Sequence, residues 1–238
     1  MMTPSPASAA ALILFAGMMT AGPAAAQDAC PIQDQLVESA ATQSADELAF
    51  TRTVMIEGRP KKGDIERTEL VERFDPSAPE GERWTLVSYN GDAPTKKQLK
   101  EARQRRGTGM VPGYYRLATW LGVDPATCAP TEIRYDRFPK KTFDTGPVDM
   151  SGRMNAVAKI ETDARGPMVR RTEFNLNKPF RVMLVAKITD FDVVSDYRRL
   201  ADGRPVLDRQ VMRFAGSRPG GSGTQTVVTT YSDYRLVR

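Results

Sequence analysis

The sequence predicts a mainly β fold, a curled antiparallel sheet forming a half-open barrel, with two helices inserted across it as a lid. Three observations predict this. From Asp46 onward apolar and polar residues alternate with period two over most of the chain, the signature of strands with one buried face. Turn-forming residues punctuate that pattern at short intervals, and short connections favour antiparallel neighbours, because parallel pairing needs a long crossover. One region, about 94–122, switches to helical spacing. A sheet of about eight or nine strands curls or closes to hide its edges, and the inserted helices need an apolar surface to cover.

Residues 1–26 carry no charged side chain. Their apolar stretch, Ala9 to Gly22, is too short to span a membrane, and Ala24 and Ala26 fit the cleavage pattern of a secretory signal peptide. Residues 1–26 are therefore expected to be a signal peptide and 27–238 a single β-rich domain, periplasmic or secreted after cleavage near Ala26. Cys30 and Cys128 are then the two thiols of an exported chain, where two lone cysteines pair. Closing so long a loop stabilises by up to roughly 4–5 kcal/mol through loop-closure entropy.

The first strand, Leu48 to Ile56, is closed by Gly58 and Pro60, and a more polar one runs Ile65 to Phe74. A third, Arg83 to Tyr89, stops at the turn pair Asn90-Gly91. Thr95-Lys96-Lys97-Gln98 is a capping box that opens a basic helix, Lys96 to Arg106, ended by Gly107. Tyr114 to Leu121 reads as a second, apolar helix ended by Gly122. Strand pattern resumes at Thr131 to Phe138. The clearest alternation follows, Met154, Ala156, Ala158 and Ile160 on one face against Arg153, Asn155, Lys159 and Glu161 on the other. Gly166-Pro167 turns the chain into Met168 to Phe174, and Pro179 precedes a strand Phe180 to Ile188. Val206 to Phe214 and Thr224 to Val237 complete the set, joined by the Gly-, Ser- and Pro-rich hairpin tip 217–223.

The composition excludes whole classes of chemistry. There is no histidine, so Ser-His-Asp and Cys-His catalysis and His-ligated zinc are ruled out. Hard-ligand spacing of the D-x-D-x-D-G type is missing as well, so neither a metal nor a cofactor is expected. The chain is basic, with 34 Lys plus Arg against 29 Asp plus Glu, but an export signal argues against nucleic acid.

Two stretches carry a family resemblance. Lys159-Ile160-Glu161-Thr162-Asp163-Ala164-Arg165-Gly166-Pro167-Met168-Val169-Arg170 looks like a strand, a D-x-x-G-x-P turn and the next strand, and Thr229-Thr230-Tyr231-Ser232-Asp233-Tyr234-Arg235 looks like a late aromatic strand. With the order of elements, they resemble the periplasmic lipoprotein carriers of the LolA and LolB kind. The resemblance implies a LolA-like fold with a short N-terminal helix. It also implies a non-enzymatic carrier for a lipid, a lipoprotein acyl chain or another hydrophobic ligand, shielded between sheet and lid. Burial of each methylene contributes about 0.8 kcal/mol to such binding. The ligand-lining residues it points to are Phe50, Val54, Trp84, Leu86, Met154, Ile160, Phe180 and Leu184 of the sheet, with Leu117, Trp120 and Leu121 of the lid. The same residues would equally make an ordinary filled core. Met154, Met168 and Met183 would suit a variable ligand, or serve as gap fillers.

Lys96, Lys97, Lys100, Arg103 and Arg106 crowd one helix, relieved by Glu101. Such a cluster is tolerated opposite an anionic membrane surface or an acidic protein, each near-surface cation contributing on the order of 1 kcal/mol, and equally as a solvated face, which is its commoner meaning. Two other functions stay open. One is an envelope-associated interaction protein with a filled core. The other is a carboxylate-based hydrolase using Asp190 with Asp192, or Asp196 near Tyr197, although no recognised catalytic motif accompanies these residues.

Overall fold

The computed structural model describes residues 30–106, 111–143, 149–182, 186–218 and 221–237. The expected signal peptide, Met183 and Leu184 lie outside them.

The described residues open with helix α1 (Pro31–Ala41), whose Pro31 sits at the first helical position, where its missing N–H costs nothing. Strands β1 (Leu48–Pro60), β2 (Glu66–Phe74) and β3 (Trp84–Tyr89) follow as a meander. Helix α2 (Lys96–Arg106) opens with the predicted capping box: the Thr95 N–H donates to Gln98 Oε1 (2.8 Å) and the Gln98 N–H to Thr95 Oγ1 (3.3 Å). The second inserted helix is less regular than its spacing suggests. It is a 3-10 turn, Tyr114–Leu117, running into a single α turn, α3 (Ala118–Leu121). Together these eight residues form the cover of the sheet.

The remaining strands are β4 (Thr127–Ala129), β5 (Glu132–Tyr135), β6 (Met154–Asp163), β7 (Gly166–Leu176), β8 (Phe180–Val182), β9 (Ala186–Arg199), β10 (Pro205–Arg218) and β11 (Gly221–Leu236). Two expectations need correction. The strand expected over Phe180 to Ile188 is two arms of a hairpin, with Phe180 opposite Ile188, and the second arm continues through Arg199. The strand expected over Thr131 to Phe138 is confined to Glu132–Tyr135, with β4 added before it. The named strands therefore number eleven, above the eight or nine counted from the sequence.

All pairings are antiparallel, in the order β3-β2-β1-β11-β10-β9-β7-β6-β5-β4, with β8 against β9. Among the described residues the edge strands β3 and β4 do not pair, so the curled sheet is open. Where β10 and β11 turn, the backbones crowd: a Cβ at Gly223 would lie 2.5 Å from the Arg59 carbonyl oxygen, a contact only glycine escapes.

One face of this sheet is covered in two places. On the β5–β7 side, α1, the cover, Ile133, Tyr135, Ala156, Ala158, Ile160 and Val169 form the main core. On the β2–β3 side, Leu99 and Ala102 of α2 pack against Leu70 and Leu86. Cys30 and Cys128 are joined by a disulfide with Cα atoms 6.0 Å apart, which ties the start of α1 to β4.

Candidate functional site

The residues of the covered face follow from strand register. In an antiparallel sheet directly opposed residues point the same way, so the pairings trace rows across the strands. One row runs Leu70, Val54, Thr229, Gln210, Ser195 and Thr172, from β2 to β7. The next runs Thr68, Ile56, Val227, Met212, Val193 and Phe174. Beyond it lie Gly58, Gln225, Phe214 and Phe191. On the other side Arg52 lies opposite both Glu72 and Tyr231.

Between these rows and the cover is a hollow of about 510 Å³, within the roughly 300–1,000 Å³ range of small-ligand sites. Its floor includes Val54, Thr172, Phe174, Val193, Ser195, Gln210, Met212, Val227 and Thr229; its roof includes Arg116, Leu117 and Trp120. A second, open hollow of about 610 Å³ is lined by Gly58, Phe214, Gly216 and Gln225 at the hairpin tips. Register places Gly58, Gln225 and Phe214 one row further along the same face, and Gly216 beyond them, so the two hollows follow one another along a single trough-like stretch of that face.

The cover is held by polar contacts at both ends. The side chain of Gln33 on α1 donates to the carbonyl oxygens of Leu121 and Val123, and Tyr135 Oη donates to Leu121 O at 2.9 Å. These bonds satisfy carbonyls that the end of α3 leaves without a helical partner. At the other end the Val169 N–H donates to the Tyr114 phenol at 2.9 Å, next to a register shift between β6 and β7. Burial pushes the Tyr114 phenol up to about 12.

Two arginines line the hollow. Arg52 is internally matched, 2.6 Å from the carboxylate of Glu72 and 4.0 Å above the ring of Trp84. Arg116 has no carboxylate within ion-pairing distance among the described residues. Burial raises the phenols of Tyr197 and Tyr231 to about 12, with the charges of Arg116 and Arg52, respectively, opposing it. Neither phenol is a base at neutral pH.

The predicted lining residues divide. Val54, Leu117 and Trp120 line the hollow. Phe50 and Trp84 belong to an aromatic cluster with Phe74, Tyr231 and Tyr234, ring centroids 5.0–5.7 Å apart. Leu121, Met154 and Ile160 are buried in the main core, and Leu86 beneath α2. Phe180 is buried under the Arg153 guanidinium, 4.8 Å from its ring. Lys96, Lys97, Lys100 and Arg103 are exposed on α2, with Lys97 4.0 Å from Glu101. Arg106 closes that helix with a side chain outside the described set. The candidate hydrolytic carboxylates turn away from the hollow: Asp192 pairs with Arg213 (3.3 Å) and Asp196 with Arg171 (3.5 Å), while their neighbours Val193, Ser195 and Tyr197 face it.

Arg52, Arg116, Thr172, Phe174, Val193, Ser195, Gln210, Met212, Val227, Thr229 and Tyr231 also line the hollow and are not among the residues expected from the sequence. Alternation along β10 and β11 already places Gln210 with Met212, and Val227 with Thr229 and Tyr231, so the shared face was readable there. Which part of it stays uncovered was not.

No family model and no curated protein matches this chain. Among solved structures it is similar to a LolA superfamily protein from Nitrosomonas europaea, with 12% identity, 87% of this chain and 94% of that one covered, and a TM-score of 0.34. It is also similar to a DUF1329 family protein from Desulfovibrio piger, with 11% identity, 87% and 92% coverage, and a TM-score of 0.36.

Proposed function

We propose that this chain is a non-enzymatic periplasmic carrier that holds a hydrophobic ligand, a lipid or the acyl chain of a lipoprotein, in the trough beneath its cover. One observation carries the reading: the sheet face is sealed on both flanks, yet between them an apolar row of Ile56, Val227, Met212, Val193 and Phe174 stays half-buried beside a hollow of about 510 Å³. Folding alone would favour closing such a surface, since each buried methylene contributes about 0.8 kcal/mol. The Cys30–Cys128 bridge agrees with an oxidising compartment. A non-enzymatic role is supported by a lining that presents arginines and high-pKa phenols and, among the described residues, no carboxylate.

The test is native mass spectrometry of protein from a periplasmic extract, together with displacement of a fluorescent fatty-acid probe. A bound lipid mass, and loss of probe binding in Met212→Trp, which fills the trough, are the expected results. A clean mass with no probe binding would instead leave an interaction protein of the envelope. The exposed cations of α2 extend the proposal: Lys96, Lys97, Lys100 and Arg103 would meet anionic headgroups during ligand exchange. Replacing them with Gln should weaken sedimentation with anionic vesicles in a salt-dependent way, and unchanged sedimentation would remove that contact.

A further inference from the structure

The floor of the hollow is not uniformly apolar. Thr229, Gln210, Ser195 and Thr172 occupy one continuous row across β11, β10, β9 and β7. Gln210 Nε2 donates to Ser195 Oγ at 3.0 Å. Thr172, Ser195 and Thr229 are all more than nine-tenths buried. The Thr172 hydroxyl lies near enough to the Tyr197 phenol to lower its pKa, yet makes no hydrogen bond of regular geometry to any described residue. Buried polar atoms are ordinarily paired, so the Thr172 hydroxyl marks hydrogen-bonding capacity in this row that the fold does not use up. Above it stands Arg116, unmatched by a carboxylate, its charge acting on the same Tyr197 phenol. The next row, from Phe174 to Ile56, is apolar, and Phe214 and Phe191 continue it toward the hairpin tips.

Resting on the carrier reading, we propose that the ligand is a single-chain amphiphile with an anionic head, held head-inward. The head, a carboxylate or a phosphate, meets Arg116 and the Thr172–Ser195–Gln210–Thr229 row. The tail lies over Val193, Met212 and Val227 and points toward Phe214. Charge complementarity selects the head, because Arg116 lines the hollow without a carboxylate partner among the described residues while Arg52 is already paired with Glu72. The change from the polar to the apolar row sets the direction of the tail.

Calorimetry on the mature chain with palmitate, hexadecyl phosphate and hexadecanol tests this. The expected result is at least about tenfold weaker binding of the neutral alcohol, the size of one charge-assisted hydrogen bond. Arg116→Gln should erase that preference and Arg116→Lys restore it in part, with circular dichroism confirming the fold of each. Gln210→Leu, which leaves the cover untouched, should reduce the preference by a smaller factor. Whether palmitate or hexadecyl phosphate binds more tightly identifies the head. Equal binding of all three ligands, or a preference that survives Arg116→Gln, overturns the head assignment and leaves the carrier reading standing. Binding of none overturns both.

Discussion

The covered face contains two regions of one sheet, patterned by the same alternation, and they end differently. Toward β5 and β6, Ile133, Tyr135, Ala156 and Ala158 are sealed beneath Leu36, Ala40 and Leu121, each 2% exposed or less. Toward β10 and β11, Met212, Val227 and Val193 are half-buried beside the trough. The inward residues are similarly apolar, so hydrophobicity does not separate a core from a binding surface here. What separates them is how closely the helices above pack onto the face. The hollow thus lies on a continuous face where the inner edge of the cover roofs it loosely, with α1 and the cover on one side and α2 on the other.

The comparison breaks most completely in alkali. Tyr114, Tyr197 and Tyr231 have folded pKa values near 12 against an ordinary 10.0, raised by burial. A raised folded pKa means full stability below pH 10, lost progressively as pH climbs through 12. Phenolate absorbance and circular dichroism should therefore change together between pH 10 and 12. Independent titration near 10, with the fold intact, would place these phenols in water.

Truncation comes next in size and contrasts the two regions directly. Leu121→Ala leaves a cavity under α3 and should lower stability in urea by about 2–5 kcal/mol. Met212→Ala removes atoms that already border the hollow and should cost about 1 kcal/mol or less. Equal losses would mean that the trough is packed in solution. Reducing the Cys30–Cys128 bridge should cost about 2–4 kcal/mol in urea midpoint measurements with and without reductant, while probe binding persists, because the bridge lies outside the trough. Smaller than the loss of the bridge is Gln33→Ala, which takes the side-chain donor from the Val123 carbonyl and one of two from Leu121. It should cost about 1–2 kcal/mol and raise probe exchange rates by loosening the cover.

Much of this architecture was legible in the sequence because it rests on local rules. The capping box at Thr95 and Gln98 is a four-residue signal and is formed as read. The buried face Met154, Ala156, Ala158 and Ile160 follows from period two alone. The disulfide follows from cysteine count. The β8–β9 hairpin was hidden because no glycine, proline or asparagine marks a turn between Phe180 and Ile188. In β9 the inward Ser195 and the outward Val194 blur the alternation of Phe191, Val193 and Tyr197. The trough was the least legible part, since burial on a strand face is decided by long-range packing of residues 31–41 and 114–121. Alternation therefore points to apolar residues, whereas polar neighbours such as Thr172 and Gln210 form about half of the lining.

The cover is bolted at both ends, by Gln33 and Tyr135 at Leu121 and by Tyr114 at Val169. A roof fixed in that manner has nowhere to swing. On the proposed carrier reading, with the cover in place a ligand would leave endwise between the hairpin tips, and its residence time would then scale with tail length.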